Sequence, residues 1–138
     1  HRKPLDAITS FSSLVCTLRS GFSNAINPLA IGQHEMQHFS KIASMGMLDR
    51  SALSARQVFD VSFNALCSDP ISVITSLYEN FEMQLSSQAE NQMRNYLKQR
   101  PRHLYGEHTY LSEDFGLDRT QEIELYSSYL SRFDEYLH

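Results

Sequence analysis

The feature that most constrains the fold is an unbroken helical pattern from Asp69 to Arg100. This stretch has no glycine, and its only proline, Pro70, directly follows Asp69, as a proline in a first helical turn follows its N-cap. Apolar residues recur along it three or four positions apart, which is typical of a helix that buries one face. They are Ile74, Leu77, Tyr78, Phe81, Leu85, Ala89, Met93, Tyr96 and Leu97. We therefore predict one long central helix over residues 70–100, spanning about 45 Å.

Four further helical patterns flank this stretch, and three of them begin with a recognisable start signal. The patterns cover residues 4–22, 28–47, 54–67 and 118–137. The start signals are the pairs Asn27 and Pro28, Ser54 and Gln57, and Asp118 and Gln121. No segment shows sustained strand alternation bounded by hairpin turns. The sequence predicts an all-α fold, a compact bundle of about five helices.

Size and composition favour a single helical domain over residues 1–138, which we expect to be a fragment of a larger protein because it lacks an initiator Met. A hydrophobic fraction of 41% is enough for a core, and no apolar run approaches the length of a membrane span. The net charge of −4 argues against nucleic-acid binding over the whole surface. Cys16 and Cys67 lie in apolar patterns and do not indicate a disulfide framework. We predict an intracellular protein, cytoplasmic or nuclear.

The most specific motif is His34-Glu35-Met36-Gln37-His38. It resembles the zinc-binding helix of the HExxH metallopeptidases, in which two histidines four positions apart hold the metal and the glutamate acts as general base. The resemblance implies metal ligation by His34 and His38 and catalysis by Glu35. The helical period also places the two histidines away from the apolar stripe that contains Met36 and Phe39.

The surroundings of this motif weaken the peptidase interpretation. Ser40 stands where that family usually has a hydrophobic residue, and residues 1–30 are predicted to be helical where the family generally has a sheet. A third ligand is also required, and no candidate lies in a companion motif. The candidates are Asp49, Asp60, His103 and His108. Solvated histidines remain the simpler alternative, with no cofactor bound.

A second candidate site is the cluster of cations and tyrosines near the end of the long helical pattern. Its residues are Arg94, Tyr96, Lys98, Arg100, Arg102 and Tyr105. Cations and aromatic rings in this arrangement suit phosphates, exposed bases or an acidic partner. The alternative is that cations at the C-terminal turns of a helix stabilise its dipole. The connection that follows, residues 101–118, is predicted to close an end of the bundle with its aromatic residues, with a functional loop as the alternative.

Since no catalytic constellation is assembled in the sequence, the leading prediction is a non-enzymatic helical domain for protein-protein interaction or assembly, a scaffold. We predict that its partner is another protein, and the alternative is a second copy of this chain. The alternative is the zinc-dependent metallopeptidase with His34, Glu35 and His38. The third hypothesis is nucleic-acid or acidic-partner binding through the 94–103 cluster.

Overall fold

The structure is a computed structural model that describes residues 1–100 and 110–138. Within these residues it contains six α-helices and no strand, which confirms the all-α prediction. The helices are α1 (Pro4–Ser20), α2 (Pro28–Ser51), α3 (Phe63–Ser68), α4 (Pro70–Asn80), α5 (Ser87–Gln99) and α6 (Arg119–Arg132). Short 3-10 turns cover Ala55–Gln57, Ser112–Phe115 and Asp134–Tyr136.

The predicted long helix over residues 70–100 is wrong, because α4 ends at Asn80 and α5 begins at Ser87. Glu82 adopts a positive φ of 54°, and Met83 N–H donates to Tyr78 O at 2.8 Å. Together with the bond from Glu82 N–H to Glu79 O at 3.0 Å, this is a Schellman motif. Such an end usually carries glycine at the left-handed position, so a glutamate there leaves no sign in the sequence.

The predicted helix over residues 54–67 is also wrong in its first half. Ser54 N–H does bond Gln57 Oε1, at 3.0 Å, but the turn ends at Gln57 and residues 58–62 run outside any helix. Their backbone is held by the start of the chain instead. The His1 backbone nitrogen donates to Val61 O, and Phe63 N–H donates to His1 O at 2.7 Å, the alternation that neighbouring parallel strands use.

The core lies where α1, α2 and α6 meet, closed at one end by the segment before α6. Its buried side chains are Ile8, Met36, Phe115, Leu117 and Tyr126. Phe115 and Leu117 belong to the predicted connection 101–118, so the described part of that connection closes the bundle as predicted. Residues 101–109 of the same connection lie outside the described residues.

Helix α1 contributes polar as well as apolar side chains to the buried side that faces this core. Thr9 and Ser12 are buried beside Ile8, and the Thr9 hydroxyl donates to Leu5 O at 2.7 Å. Other apolar residues of the pattern over residues 4–22 face outward, with Leu14, Leu18 and Phe22 at 51%, 60% and 94% exposure. The described residues thus leave part of this apolar pattern exposed.

Candidate functional site

The His34-Glu35-x-x-His38 motif lies on α2 with its parts in different environments. His34 and His38 are exposed, and their rings lie nearly parallel with centroids 5.8 Å apart. Glu35 is buried, at 7% exposure, and its Oε1 lies 3.1 Å from His34 Nδ1. The predicted position of the histidines, away from the Met36 stripe, agrees with this geometry.

The structure does not complete a catalytic metal centre around this motif. Across residues 1–100 and 110–138, no group of three histidine, cysteine or carboxylate side chains could hold a metal ion. Of the predicted third ligands, Asp49 is exposed and Asp60 is engaged by Arg50 and His1. His103 and His108 lie outside the described residues.

The predicted 94–103 cluster is a set of surface contacts along α5. Arg94 donates to Glu90 Oε1 at 2.7 Å, and the Arg100 guanidinium lies over the Tyr96 ring, 5.3 Å from its centroid. Lys98 is exposed in the last turn, where the helix dipole stabilises a cation. Arg102 and Tyr105 lie outside the described residues. The described members are thus accessible but do not surround a common point.

The structure shows a groove along the outward side of α1 that sequence reasoning missed. It has a volume of about 540 Å³, and its lining includes both hydroxyl groups and apolar side chains. It is lined by Ala7, Ser10, Phe11, Ser13, Leu14, Thr17 and Tyr110. Tyr110 OH donates to Ser10 Oγ at 2.6 Å, so a residue 100 positions away in the sequence closes one wall. The signal available in the sequence was the recurrence of hydroxyl residues at positions 10, 13 and 17.

The base of α1 is held by a cluster of polar and aromatic side chains around Asp60. His1 Nε2 lies 2.8 Å from Asp60 Oδ1, and His1 Nδ1 lies 2.9 Å from Tyr129 OH. Arg50 binds both carboxylate oxygens of Asp60, and the His1 ring stacks on Phe133 with centroids 3.9 Å apart. Burial raises the pKa of the Tyr129 phenol, with a smaller opposing effect from a hydrogen bond at Arg2. The cluster therefore fixes where the chain enters α1.

A second, largely apolar pocket of about 380 Å³ lies between α1, α2 and α6. Among the described residues that line it, Arg2 is the charged one, and its guanidinium lies over the Phe63 ring, 4.7 Å from the centroid. Tyr126 and Tyr129 also line this pocket. Burial raises the pKa of Tyr126, and the nearby Glu122 carboxylate adds to the shift, so this phenol is neutral at physiological pH.

Other proteins place this arrangement in a known fold. The crystal structure of the sulfotransferase STF9 from Mycobacterium avium superposes with a TM-score of 0.85 over 97% of this chain, at 23% sequence identity. The chain spans 35% of the length of that structure's chain. No curated protein sequence gives a significant match.

The family comparison corrects the functional prediction. The sequence model of the sulfotransferase family matches residues 1–87, more than half of the chain. The predicted non-enzymatic interaction or scaffold domain is therefore wrong, and the family also replaces the metallopeptidase and nucleic-acid alternatives. None of the motifs that we had singled out pointed to this family, whose match extends over 87 residues. The chain belongs to the sulfotransferase family.

Proposed function

We propose that this protein takes part in sulfuryl transfer from 3′-phosphoadenosine 5′-phosphosulfate (PAPS), the donor typical of sulfotransferases, to an acceptor nucleophile. In this reaction a bond forms between the acceptor atom and sulfur while the bond between sulfur and the bridging phosphate oxygen breaks. The leaving 3′-phosphoadenosine 5′-phosphate (PAP) keeps the electron pair, and the acceptor loses its proton. The observation that carries the proposal is the family match over residues 1–87, which contains α1 and α2.

We further propose that the groove along α1 contributes to binding the donor. Ser10, Ser13 and Thr17 present hydroxyl groups along one side of the helix, and hydroxyls donate to phosphate and sulfate oxygens. The Tyr110 hydroxyl, which donates to Ser10, sits where it could donate to a ligand oxygen instead. The aromatic ring of the same tyrosine offers a surface for a base.

The sequence supplies positive charge for an anionic donor directly before α1 and in the stretch before Tyr110. Arg2 and Lys3 directly precede α1, and the predicted basic cluster from Arg94 onward leads to Tyr110 through a segment that contains Arg102. PAPS and PAP carry several negative charges, and arginine binds such groups with two parallel hydrogen bonds. We therefore keep Arg94, Tyr96, Lys98, Arg100, Arg102 and Tyr105 as proposed binding residues, now for a nucleotide.

Calorimetric titration of PAP into the full-length protein tests this proposal. Binding of PAP, with weaker binding of adenosine 5′-phosphate, is expected. Ser10→Ala and Tyr110→Phe should each lower the affinity for PAP by about tenfold or more, because each removes one hydrogen bond to a charged group. Ser44→Ala is the matched control, since Ser44 Oγ bonds Ser40 O at 2.9 Å on the exposed side of α2, away from the groove. Absence of PAP binding would refute donor binding, and full affinity in both groove variants would refute the location.

The location and partners of the protein remain proposals. No helix in the described ranges is long and apolar enough to cross a membrane. Cys16 and Cys67 are both free thiols, which supports the predicted intracellular location. Association with a protein partner or a second copy stays a prediction.

A further inference from the structure

We infer that His34 and His38 form a surface site for a divalent transition metal, with Glu35 as the residue that orients the first of them. This inference goes beyond sulfuryl transfer and does not rest on it. The proposed site is not a peptidase centre, because a catalytic zinc needs three protein ligands and the described residues do not bring three together here. Three features support the site: the contact between His34 and Glu35, the spacing of the pair and the open surface around it.

The buried carboxylate of Glu35 determines which nitrogen of His34 is free. Glu35 Oε1 lies 3.1 Å from His34 Nδ1, so this nitrogen faces the carboxyl group and Nε2 is left at the outer end of the ring. Histidines that bind metals almost always donate their other N–H to a carboxylate or carbonyl in this way. Glu35, at 7% exposure, is held in place by burial and so provides that contact without moving.

The second histidine lies one helical turn further on the same side of α2. The two rings are nearly parallel, with an interplanar angle of 14° and centroids 5.8 Å apart. A metal bound to both would need nitrogen atoms within about 4 Å of each other, twice the usual length of a zinc-nitrogen bond. His34 has 69% of its side chain exposed and His38 is also exposed, so the solvent leaves both rings room to turn toward a shared ion.

The surroundings leave room for the remaining coordination positions. His34 and Glu35 lie at the edge of a groove of about 560 Å³, which also includes Arg19, Phe22 and Asn27. Two imidazoles suit zinc, copper and nickel ions, which fill their coordination with water or with a donor atom of a ligand. The site would therefore take a first-row divalent ion.

Titration of the full-length protein with Zn²⁺, in competition with a chromogenic chelator, tests the inference. One Zn²⁺ per chain is expected at this site, with at least a tenfold loss of affinity in His34→Ala and in His38→Ala. Glu35→Gln should lower the affinity by about tenfold while both histidines remain, the effect usual for an orienting partner. His138→Ala is the matched control, because His138 is an exposed histidine 3.2 Å from a carboxylate, Asp134, at the same four-residue spacing.

NMR of the imidazole protons separates a direct effect from misfolding. Zn²⁺ should shift the resonances of His34 and His38 in the folded wild-type protein and leave those of His138 in place. Equal Zn²⁺ affinity in the wild type and in the folded double variant of His34 and His38 would overturn the inference. So would shifts confined to other histidines. An affinity in Glu35→Gln equal to that of the wild type would overturn the orienting role of Glu35 and leave the pair as unassisted ligands.

Discussion

The carboxylate of Glu122, on α6, accepts a hydrogen bond of 2.8 Å from the backbone N–H of Leu5 in the first turn of α1. Glu122 is completely buried, and its other oxygen is bound by Arg119. The residue before α1, Lys3, provides no side-chain cap. Glu122, 117 positions away in the sequence, therefore acts as the cap of this helix N-terminus. Its carboxylate also lies at the positive end of the α1 dipole.

We predict that Glu122→Leu lowers the free energy of unfolding by about 1 to 3 kcal/mol, because the Leu5 N–H is left without its partner. Glu122→Gln keeps an acceptor and should cost less. Urea denaturation of the purified variants measures both. Glu124→Gln, on the exposed side of the same helix, is the control and should change the stability by less than about 0.5 kcal/mol. A Glu122→Leu variant as stable as the control would contradict the capping role.

Two glycines of α2 should respond to alanine in opposite directions. A Cβ on Gly32 would lie 2.2 Å from Phe115 O and 2.8 Å from Phe115 Cβ, whereas a Cβ on Gly46 meets nothing within 4 Å. Gly46→Ala should raise the free energy of unfolding by about 0.5 to 1 kcal/mol through helix propensity. Gly32→Ala should lower it by about 1 to 3 kcal/mol, because a backbone carbonyl cannot rotate away. Thermal unfolding of the two variants provides the comparison, and a stabilised Gly32→Ala would show that α2 can move from the 112–115 turn at little cost.

The ion pair between Arg50 and Asp60 should be worth more than a surface pair. Its side chains are 29% and 14% exposed, and Asp60 also contacts His1. A double-mutant cycle with Arg50→Met and Asp60→Asn should give a coupling energy of about 1 to 3 kcal/mol. The same cycle on Glu90 and Arg94, which are 37% and 52% exposed on α5, should give about 0.3 to 0.5 kcal/mol. Equal couplings would mean that burial does not strengthen the Asp60 pair.

Tyr126 should make stability fall at high pH. Burial raises the pKa of its phenol, while in the unfolded chain the pKa is near 10. Above about pH 10 the unfolded chain therefore loses this proton first, which favours unfolding, whereas below that pH the phenol is neutral in both states. Tyr126→Phe removes this contribution together with the hydrogen bond of 2.9 Å to Met36 O. The stability advantage of the wild type over Tyr126→Phe should be about 1 kcal/mol smaller at pH 10.5 than at pH 8 in urea denaturation. An advantage that stays constant with pH would contradict the assignment.

The helix N-caps predicted from the sequence are present, because residues close together in the chain are enough to form them. Asn27 Oδ1 accepts from Ala30 N–H at 3.2 Å, and Asp69 Oδ1 accepts from Ser72 N–H at 3.1 Å. A cap joins residues three positions apart, so it forms whenever the chain turns into a helix. The sequence analysis missed the end of α4 because Glu82, which adopts a left-handed conformation, is a residue type that favours helix interiors. Its backbone angle is a property of the folded chain and leaves no residue signature.

The functional prediction failed for a related reason. The His34, Glu35 and His38 spacing is a local signal, and the structure does place that pair on one side of α2, but the spacing does not name a family. The groove along α1 needs Tyr110, which reaches Ser10 only after the chain has folded back. The sulfotransferase match likewise extends over residues 1–87, far beyond the span of a local motif.

By itself the sequence determined the helical class, most helix starts and the exposed position of His34 and His38, because each depends on contacts within about four residues. Only the tertiary structure decided which side of α1 is buried, that Glu122 caps that helix and that Gly32 must lack a side chain. Helical periodicity shows that a helix has two sides, but the partner that covers each side comes from distant parts of the chain. Burial and long-range hydrogen bonds are properties of that assembled packing, and the groove along α1 is one of its products.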